Sequence, residues 1–201
     1  MKFKNFFLIF IFFIFCNNLS ADEASEWLKK EIDIILQAYQ NNDLPNENRF
    51  LMIEQTINNN FAGTAIGKFV ASKGLENANK ETEKVFIKLF KRHLALNIAS
   101  LMQGYSDQKY SLINSRYDEK SKVNLIDMEI YSESSTFQVT WRLKKAKGRY
   151  FVIDLIVSDI SLVVTKRSEF NSMLKNVEYN LEKFNRILED KNITSYNKLI
   201  N

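Results

Sequence analysis

The chain has 201 residues, of which 45% are hydrophobic and 26% are charged. Its 28 basic and 24 acidic residues give a net charge of +4, and the +2 that remains without Lys2 and Lys4 is too balanced for a nucleic-acid-binding domain. A single Cys excludes an intramolecular disulfide scaffold. The chain has only one Pro and five Gly, the residues that interrupt helices and strands, so long secondary-structure elements are expected.

The N-terminus has the three-part pattern of a secretory signal peptide. Lys2 and Lys4 form a positive region, residues 6–15 are uniformly apolar, and Ala21 is the small residue before the expected cut. The apolar run is shorter than the roughly 20 residues that a membrane-spanning helix needs. We therefore assign residues 1–21 to a signal peptide and expect export to the periplasm, and an uncleaved anchor is the alternative.

The remaining chain is expected to form one soluble domain. Cys16 invites a lipoprotein interpretation, but the bulky Phe15 stands where lipid-attachment sites have a small residue. About 180 residues follow the predicted cut, which is enough for a single domain with a hydrophobic core. We assign residues 22–191 to this domain and residues 192–201 to a loose C-terminal tail.

Apolar residues at helical spacing predict a helical first half. Ser25 is a suitable N-cap for the first helix, and Gly104 closes the last and longest one. The apolar set of the long helix is too wide for one stripe, so burial on more than one side is expected. The predicted helices cover about residues 25–40, 47–58, 61–71 and 79–102.

After Gly104 the pattern changes from helical to alternating, which predicts strands. Two further helical segments finish the chain. We predict an α+β fold with a curved, four-stranded antiparallel sheet, a helical N-terminal half and two C-terminal helices packed against the sheet. The predicted strands are 110–112, 126–130, 137–143 and 150–157, and the final helices are 162–176 and 177–190.

The sequence lacks the residues that catalysis requires. Its one histidine, His93, falls in the middle of the long predicted helix without an evident partner. No Gly-x-Ser-x-Gly turn, zinc-binding spacing, calcium loop or glycine-rich phosphate loop is present. We predict no catalytic residue, no metal site and no cofactor.

Asp154 interrupts an otherwise apolar strand. It alternates with Tyr150 and Val152, which predicts that the three side chains share a face. A buried carboxylate needs a partner, and Arg167 on the next helix is the expected one. The pair is either purely structural, through an ion pair or a helix terminus, or it opens and closes a binding cavity.

A basic cluster brackets the predicted turn at Gly148. The default interpretation is a solvated hairpin tip, and a docking patch for anionic lipid headgroups or an acidic partner is the alternative. Its members are Arg142, Lys144, Lys145, Lys147 and Arg149.

The segment from residue 148 to 170 resembles the signature of the MlaC family, also called the toluene-tolerance family: a strand bearing an Asp, a turn, and a helix opening with Arg-Ser-x-Phe. Residues 61–69 and 86–90 are similar to upstream elements of the family, and the likeness spans residues 27–188. Asp159 departs from the family, which usually has Gly there. The residues that match the signature are Asp154, Ser161, Leu162, Arg167, Ser168 and Phe170.

This resemblance implies a periplasmic protein that holds phospholipid by its acyl chains and shuttles it between membranes. The implied partners are an inner-membrane ABC transporter with an MCE-domain subunit and an outer-membrane lipoprotein complex. Phospholipid is then the cargo, and no enzymatic activity is expected.

A lipid carrier needs an apolar pocket, which we predict between the sheet and the helices. One alternative is an NTF2-like α+β domain acting as an enzyme or small-ligand binder, which requires polar residues converging in the pocket. Another is a protein–protein adaptor with a filled core. The predicted lining residues are Phe69, Phe90, Leu94, Leu101, Val139, Trp141, Phe151, Ile153 and Leu155.

Overall fold

The computed structural model describes residues 6–40, 43–104, 108–132 and 135–201, with side chains from residue 21 onward. Within these ranges a helical half precedes an antiparallel sheet, and two helices follow it. The helices are α1 (Phe6–Gln40), α2 (Asn46–Asn60), α3 (Gly63–Val70), α4 (Ser72–Leu75), α5 (Lys80–Met102), α6 (Leu162–Lys175) and α7 (Leu181–Ile200). The strands are β1 (Lys109–Asp118), β2 (Val123–Tyr131), β3 (Thr136–Ala146), β4 (Arg149–Val157) and β5 (Ile160–Ser161).

The strands form an antiparallel meander in the order β1-β2-β3-β4-β5. The predicted α+β class is confirmed, and the sheet has one short strand more than the four predicted. β5 pairs with the end of β4 through a tight turn in which Ser158 and Asp159 have φ values of 49° and 63°. This left-handed backbone is the conformation that Gly adopts most easily, and Asp is among the residues that tolerate it.

A β-bulge in β4 changes which residues share a face. Leu143 pairs with Val152, but its neighbour Arg142 pairs with Asp154, so Ile153 is the extra residue. Since directly opposed residues lie on the same face of a sheet, Asp154 lies on the face opposite to Val152. The prediction that Asp154 shares a face with Tyr150 and Val152 was wrong for this reason.

The last ten residues, expected as a loose tail, continue α7 as far as Ile200. Asn192 and Leu199 are both buried against α5. The Asn192 amide donates a 2.9 Å hydrogen bond to the Leu89 carbonyl, and Gln103 donates to the Leu199 carbonyl at 3.2 Å. These contacts anchor the C-terminus to the long helix.

α1 is continuous through the expected cleavage site. Its backbone is helical from Phe6, and the Ser115 hydroxyl donates a 2.7 Å hydrogen bond to the Ala21 carbonyl. Ala21 and Ala24 are buried, because their small side chains allow the helix to lie close to the sheet. Among the described helices, none has the length and apolar character needed to cross a membrane.

Three apolar clusters stabilise the described part of the fold. The first packs α3, α5, α6 and α7 around four phenylalanines whose rings stack or meet edge to face. The second joins α2, α5 and the end of α7, and the third joins α1 to the inner face of the sheet. The four phenylalanines are Phe86, Phe90, Phe170 and Phe184.

Candidate functional site

A cavity of about 210 Å³ lies between the second and third clusters, under α1. Its wall is almost entirely apolar. For comparison, an apolar cavity of about 150 Å³ stays dry and binds benzene. The lining residues are Trp27, Leu28, Glu31, Ile32, Ile35, Leu36, Ile53, Thr56, Ile57, Asn60, Phe61, Ile98, Met102, Gln108, Lys109, Tyr110, Met128, Ile130, Trp141 and Val152.

Periodicity explains how two helices line the cavity. The α1 residues in its wall recur three and four positions apart, so they form one stripe of that helix. The α2 residues in the wall follow the same spacing. The sequence shows both stripes, but it does not show whether two apolar stripes pack against each other or leave a space.

Hydrogen bonds from β1 and from α2 hold α1 over the cavity. The Tyr110 hydroxyl on β1 donates to Asp33 at 2.5 Å, and the Asn60 amide on α2 donates to Glu31 at 2.6 Å. The hydrogen-bonded Lys29 ammonium and the Tyr110 hydroxyl lower the pKa of Asp33. Burial and the same carboxylate raise the pKa of Tyr110, so this hydroxyl keeps its proton at neutral pH.

Of the nine residues predicted to line a pocket, Trp141 lies in the cavity wall. The four predicted helical residues lie elsewhere. Phe90 is fully buried in the first cluster, and Leu94 packs between the first two clusters. Phe69 is 40% exposed on α3, and Leu101 is 76% exposed near the end of α5. The long helix therefore contributes most of its apolar residues to a filled core.

The four other predicted residues belong to β3 and β4, near the cavity but outside its described wall. Val139 is buried beside its pairing partner Met128, which does line the cavity. Leu155 pairs with Trp141, and Ile153 is the bulge residue. Phe151 pairs with Lys144, and the Arg149 guanidinium lies 4.3 Å from the Phe151 ring centroid. The described sheet residues in the cavity wall lie mainly on β1 and β2, with Trp141 of β3 and Val152 of β4, rather than at Phe151, Ile153 and Leu155.

The Asp154 side chain on β4 is buried beside the N-terminus of α6, where its carboxylate accepts four hydrogen bonds. The Ser161 hydroxyl donates at 2.7 Å, and the backbone N–H groups of Leu155 and Val163 donate at 2.8 and 3.1 Å. Arg142, directly across the sheet, donates at 3.4 Å. A carboxylate is favoured at a helix N-terminus because the exposed N–H groups and the helix dipole attract it. The contacts of Asp154 are structural, and it does not line the cavity.

The predicted pairing of Asp154 with Arg167 was wrong. Arg167 is exposed, donates to the Ser72 hydroxyl at 3.3 Å and lies 4.3 Å from the Phe69 ring centroid. Arg167 lies about one and a half turns into α6, whereas the Asp154 carboxylate contacts the first turn of that helix. The bulge directs Asp154 towards Arg142 instead.

Three residues of the basic cluster around Gly148 contact other parts of the protein. Lys145 forms a 2.7 Å ion pair with Glu23 on α1, and Arg149 donates to the Asn59 carbonyl at the end of α2. Together with the Arg142 contact to Asp154, these bonds connect the hairpin to its neighbours. They show a structural role for three of the five basic residues.

His93 does not line the cavity. Its Nδ1 lies 3.3 Å from the Asn192 side-chain oxygen, and its ring meets Phe170 edge to face. Nε2 is buried and has no hydrogen-bond partner among the described residues. Burial, assisted by the positive charge of Lys166, lowers the pKa of His93. This environment favours a neutral ring that stabilises the α5–α7 contact.

Stability is therefore expected to decrease as the pH falls below about 6.5, the pKa of His in an unfolded chain. There the unfolded chain binds more protons than the folded chain, so the free energy of unfolding falls by at most about 1.4 kcal/mol per pH unit for one group. Urea titrations between pH 7.5 and 5.5 measure this. His93→Gln should flatten the dependence, and an equally steep dependence in that variant would assign it to other groups.

The described residues contain no group of three or more His, Cys, Asp or Glu side chains that could hold a metal ion. An NTF2-like enzyme needs converging catalytic groups, whereas His93 lies outside the cavity, and an adaptor with a filled core would not leave this space.

Comparisons with known proteins agree with this architecture. A solved phospholipid-binding protein from Ralstonia solanacearum, in complex with a phospholipid, superposes with a TM-score of 0.70 at 13% identity, covering 84% of this chain and 96% of that chain. No curated protein matches the sequence significantly. Residues 29–190 match the family model described as MlaC protein. The chain therefore belongs to the MlaC protein family.

Proposed function

We propose that this protein is a periplasmic phospholipid carrier that encloses acyl chains in the cavity under α1. The observation that carries the proposal is the almost wholly apolar wall of that cavity. The family and the phospholipid complex of the Ralstonia solanacearum neighbour support it. The cavity residues, including Trp141, would contact the acyl chains.

The energetics of lipid transfer explain why such a carrier is needed. Burying one CH₂ group is favourable by about 0.8 kcal/mol. A diacyl lipid with about 30 such groups therefore gains on the order of 20 kcal/mol by avoiding water. Free diffusion across an aqueous compartment is negligible at that cost, whereas a protein with an apolar cavity can carry the chains across.

The proposed setting is the periplasm, reached through the signal peptide predicted over residues 1–21. We propose the two partners that the family resemblance implies: an inner-membrane ABC transporter with an MCE-domain subunit and an outer-membrane lipoprotein complex. In this setting the protein receives lipid at one membrane and delivers it at the other, without changing any covalent bond of the lipid.

Lipid analysis of the purified protein tests the proposal. The protein, isolated from the periplasm of an expressing cell without detergent, is examined by native mass spectrometry and by solvent extraction. We expect a stoichiometric adduct with the mass of a diacyl phospholipid. Protein that carries no lipid, and that takes up none from vesicles, would contradict the proposal, and a small polar adduct would favour the NTF2-like alternative.

A further inference from the structure

A second concave surface lies between α2 and α5, on the other side of α2 from the cavity. On α2 the cavity wall includes Ile53 and Ile57. The residues that follow each of them, Glu54 and Asn58, line the second surface instead. It is an open groove of about 490 Å³, which we call the basic groove. Its lining residues are Glu54, Asn58, Lys84, Ile87, Lys88, Lys91 and Arg92.

Two of the four cations in the basic groove are already paired. The Arg92 guanidinium donates to Glu54 at 2.8 Å, and this pair neutralises the acidic residue of the lining. Lys84 forms a 2.6 Å ion pair with Glu81, one turn earlier on α5. The groove lining therefore has two further positive charges to account for.

Those two charges, on Lys88 and Lys91, have no such partner. Neither side chain forms an ion pair or a hydrogen bond with any residue that the structure describes. Glu83, the remaining acidic residue of α5, binds Lys68 on α3 at 2.6 Å. Because like charges three positions apart on a helix repel each other, the two lysines are a small cost to the fold that a bound anion would remove.

One of the two lysines is held in position by the glycine that begins α3. A Cβ atom at Gly63 would lie 2.9 Å from Lys91 Cγ and 3.1 Å from Lys91 Cε, so the lysine side chain lies directly across this residue. Gly63 is buried and Lys91 is half-buried. A side chain that is ordered before a ligand arrives loses less conformational entropy on binding.

We propose that the basic groove binds a phosphate group, presented by a soluble phosphate ester or by the headgroup of an anionic phospholipid. Each lysine ammonium offers one positive charge and three N–H donors, and lysine binds phosphate as a point charge. The Asn58 amide, which has no hydrogen-bond partner among the described residues, adds neutral donors. Ile87 supplies an apolar surface for the organic part of the ester. Because α2 separates this site from the cavity, the inference goes beyond the proposed carrier function.

Two binding measurements at low ionic strength, where charge attraction is least screened, test the proposal. Titration calorimetry uses glycerol phosphate, and flotation compares vesicles of phosphatidylglycerol with vesicles of phosphatidylcholine. Lys88→Gln and Lys91→Gln should each weaken binding by about fivefold or more, the factor expected for a partly exposed hydrogen bond between charged groups. Lys183→Gln, at an exposed position on α7, is the matched control and should bind as the wild-type protein does.

A variant that keeps every charge separates a formed site from a diffuse positive surface. Gly63→Ala places a methyl group where the Lys91 side chain lies, so that side chain must move. Binding should fall by about threefold or more, because the ordered position of the lysine is lost. Unchanged binding in Gly63→Ala, or equal weakening by Lys183→Gln, would reduce the effect to net charge and overturn the proposal.

The two probes distinguish the sources of the phosphate group. Binding of glycerol phosphate supports a soluble ester, whereas binding of phosphatidylglycerol vesicles alone supports a lipid headgroup. Wild-type protein that binds neither probe, or binding that persists unchanged in both lysine variants, overturns the proposal. Lipid carried in the cavity should be retained in the lysine variants, since neither residue lines it, so failure here leaves the carrier proposal intact.

Discussion

Replacing Ile35 by Glu is expected to abolish lipid retention. Ile35 lies in the α1 stripe that faces the cavity and packs against the second apolar cluster. A carboxylate at this position must either enter the space proposed for the acyl chains or draw water into it, and both are costly by several kcal/mol. Because 1.4 kcal/mol corresponds to a factor of ten, co-purified lipid should fall by about tenfold or more. Extraction and quantification of phospholipid per protein measures the loss.

The adjacent residue provides the control. Ile34 is 38% exposed on the same helix and does not line the cavity, so Ile34→Glu makes the same chemical change outside the site. It should retain normal lipid loading. If both variants retain lipid equally, the chains lie elsewhere. If both lose lipid, the loss comes from damage to α1, which a circular dichroism melt would reveal.

Asp154→Ala is expected to have the largest effect on stability. The substitution leaves the Ser161 hydroxyl and the Val163 N–H without their acceptor at the first turn of α6, and it leaves Arg142 without its carboxylate. A buried donor without a partner costs about 1–3 kcal/mol. We expect the free energy of unfolding to fall by about 2–4 kcal/mol, measured by urea denaturation.

Arg167→Ala is the comparison that separates the observed pairing from the predicted one. Arg167 is exposed and contacts Phe69 and Ser72, so its removal should cost less than about 1 kcal/mol. A loss as large as that of Asp154→Ala would contradict the assignment of the carboxylate to Arg142 and the α6 terminus. Lipid loading should persist in both variants while they remain folded, since neither residue lines the cavity.

Hydrophobic periodicity predicted most of the described elements. The change from helical to alternating spacing after Gly104 corresponds to the change from α5 to β1, and the predicted strand 150–157 corresponds to β4. Hydrophobic spacing extends over only a few residues, so it predicts an element without any tertiary information. The end of α7 was not predicted, because its burial depends on contacts with α5, about 100 residues away in sequence.

The site was predicted less well than the fold. Of the predicted lining residues, Trp141 lies in the cavity wall, but no lining residue was predicted on α1 or α2, which supply most of that wall. The spacing of Trp27, Leu28 and Ile32 was visible in the sequence. An apolar stripe has the same spacing in the sequence whether it packs against another stripe or faces a cavity. Periodicity alone therefore cannot locate a cavity.

By itself, the sequence determined the α+β class, the order of the elements, the family resemblance around Asp154 and the lack of a recognisable catalytic motif. These properties depend on residue types and on short spacings. The tertiary structure alone decided which face of β4 carries Asp154, since one bulge at Ile153 reverses the alternation. It also decided where the second and third clusters separate to leave the cavity, because that gap depends on how α1 lies across the sheet.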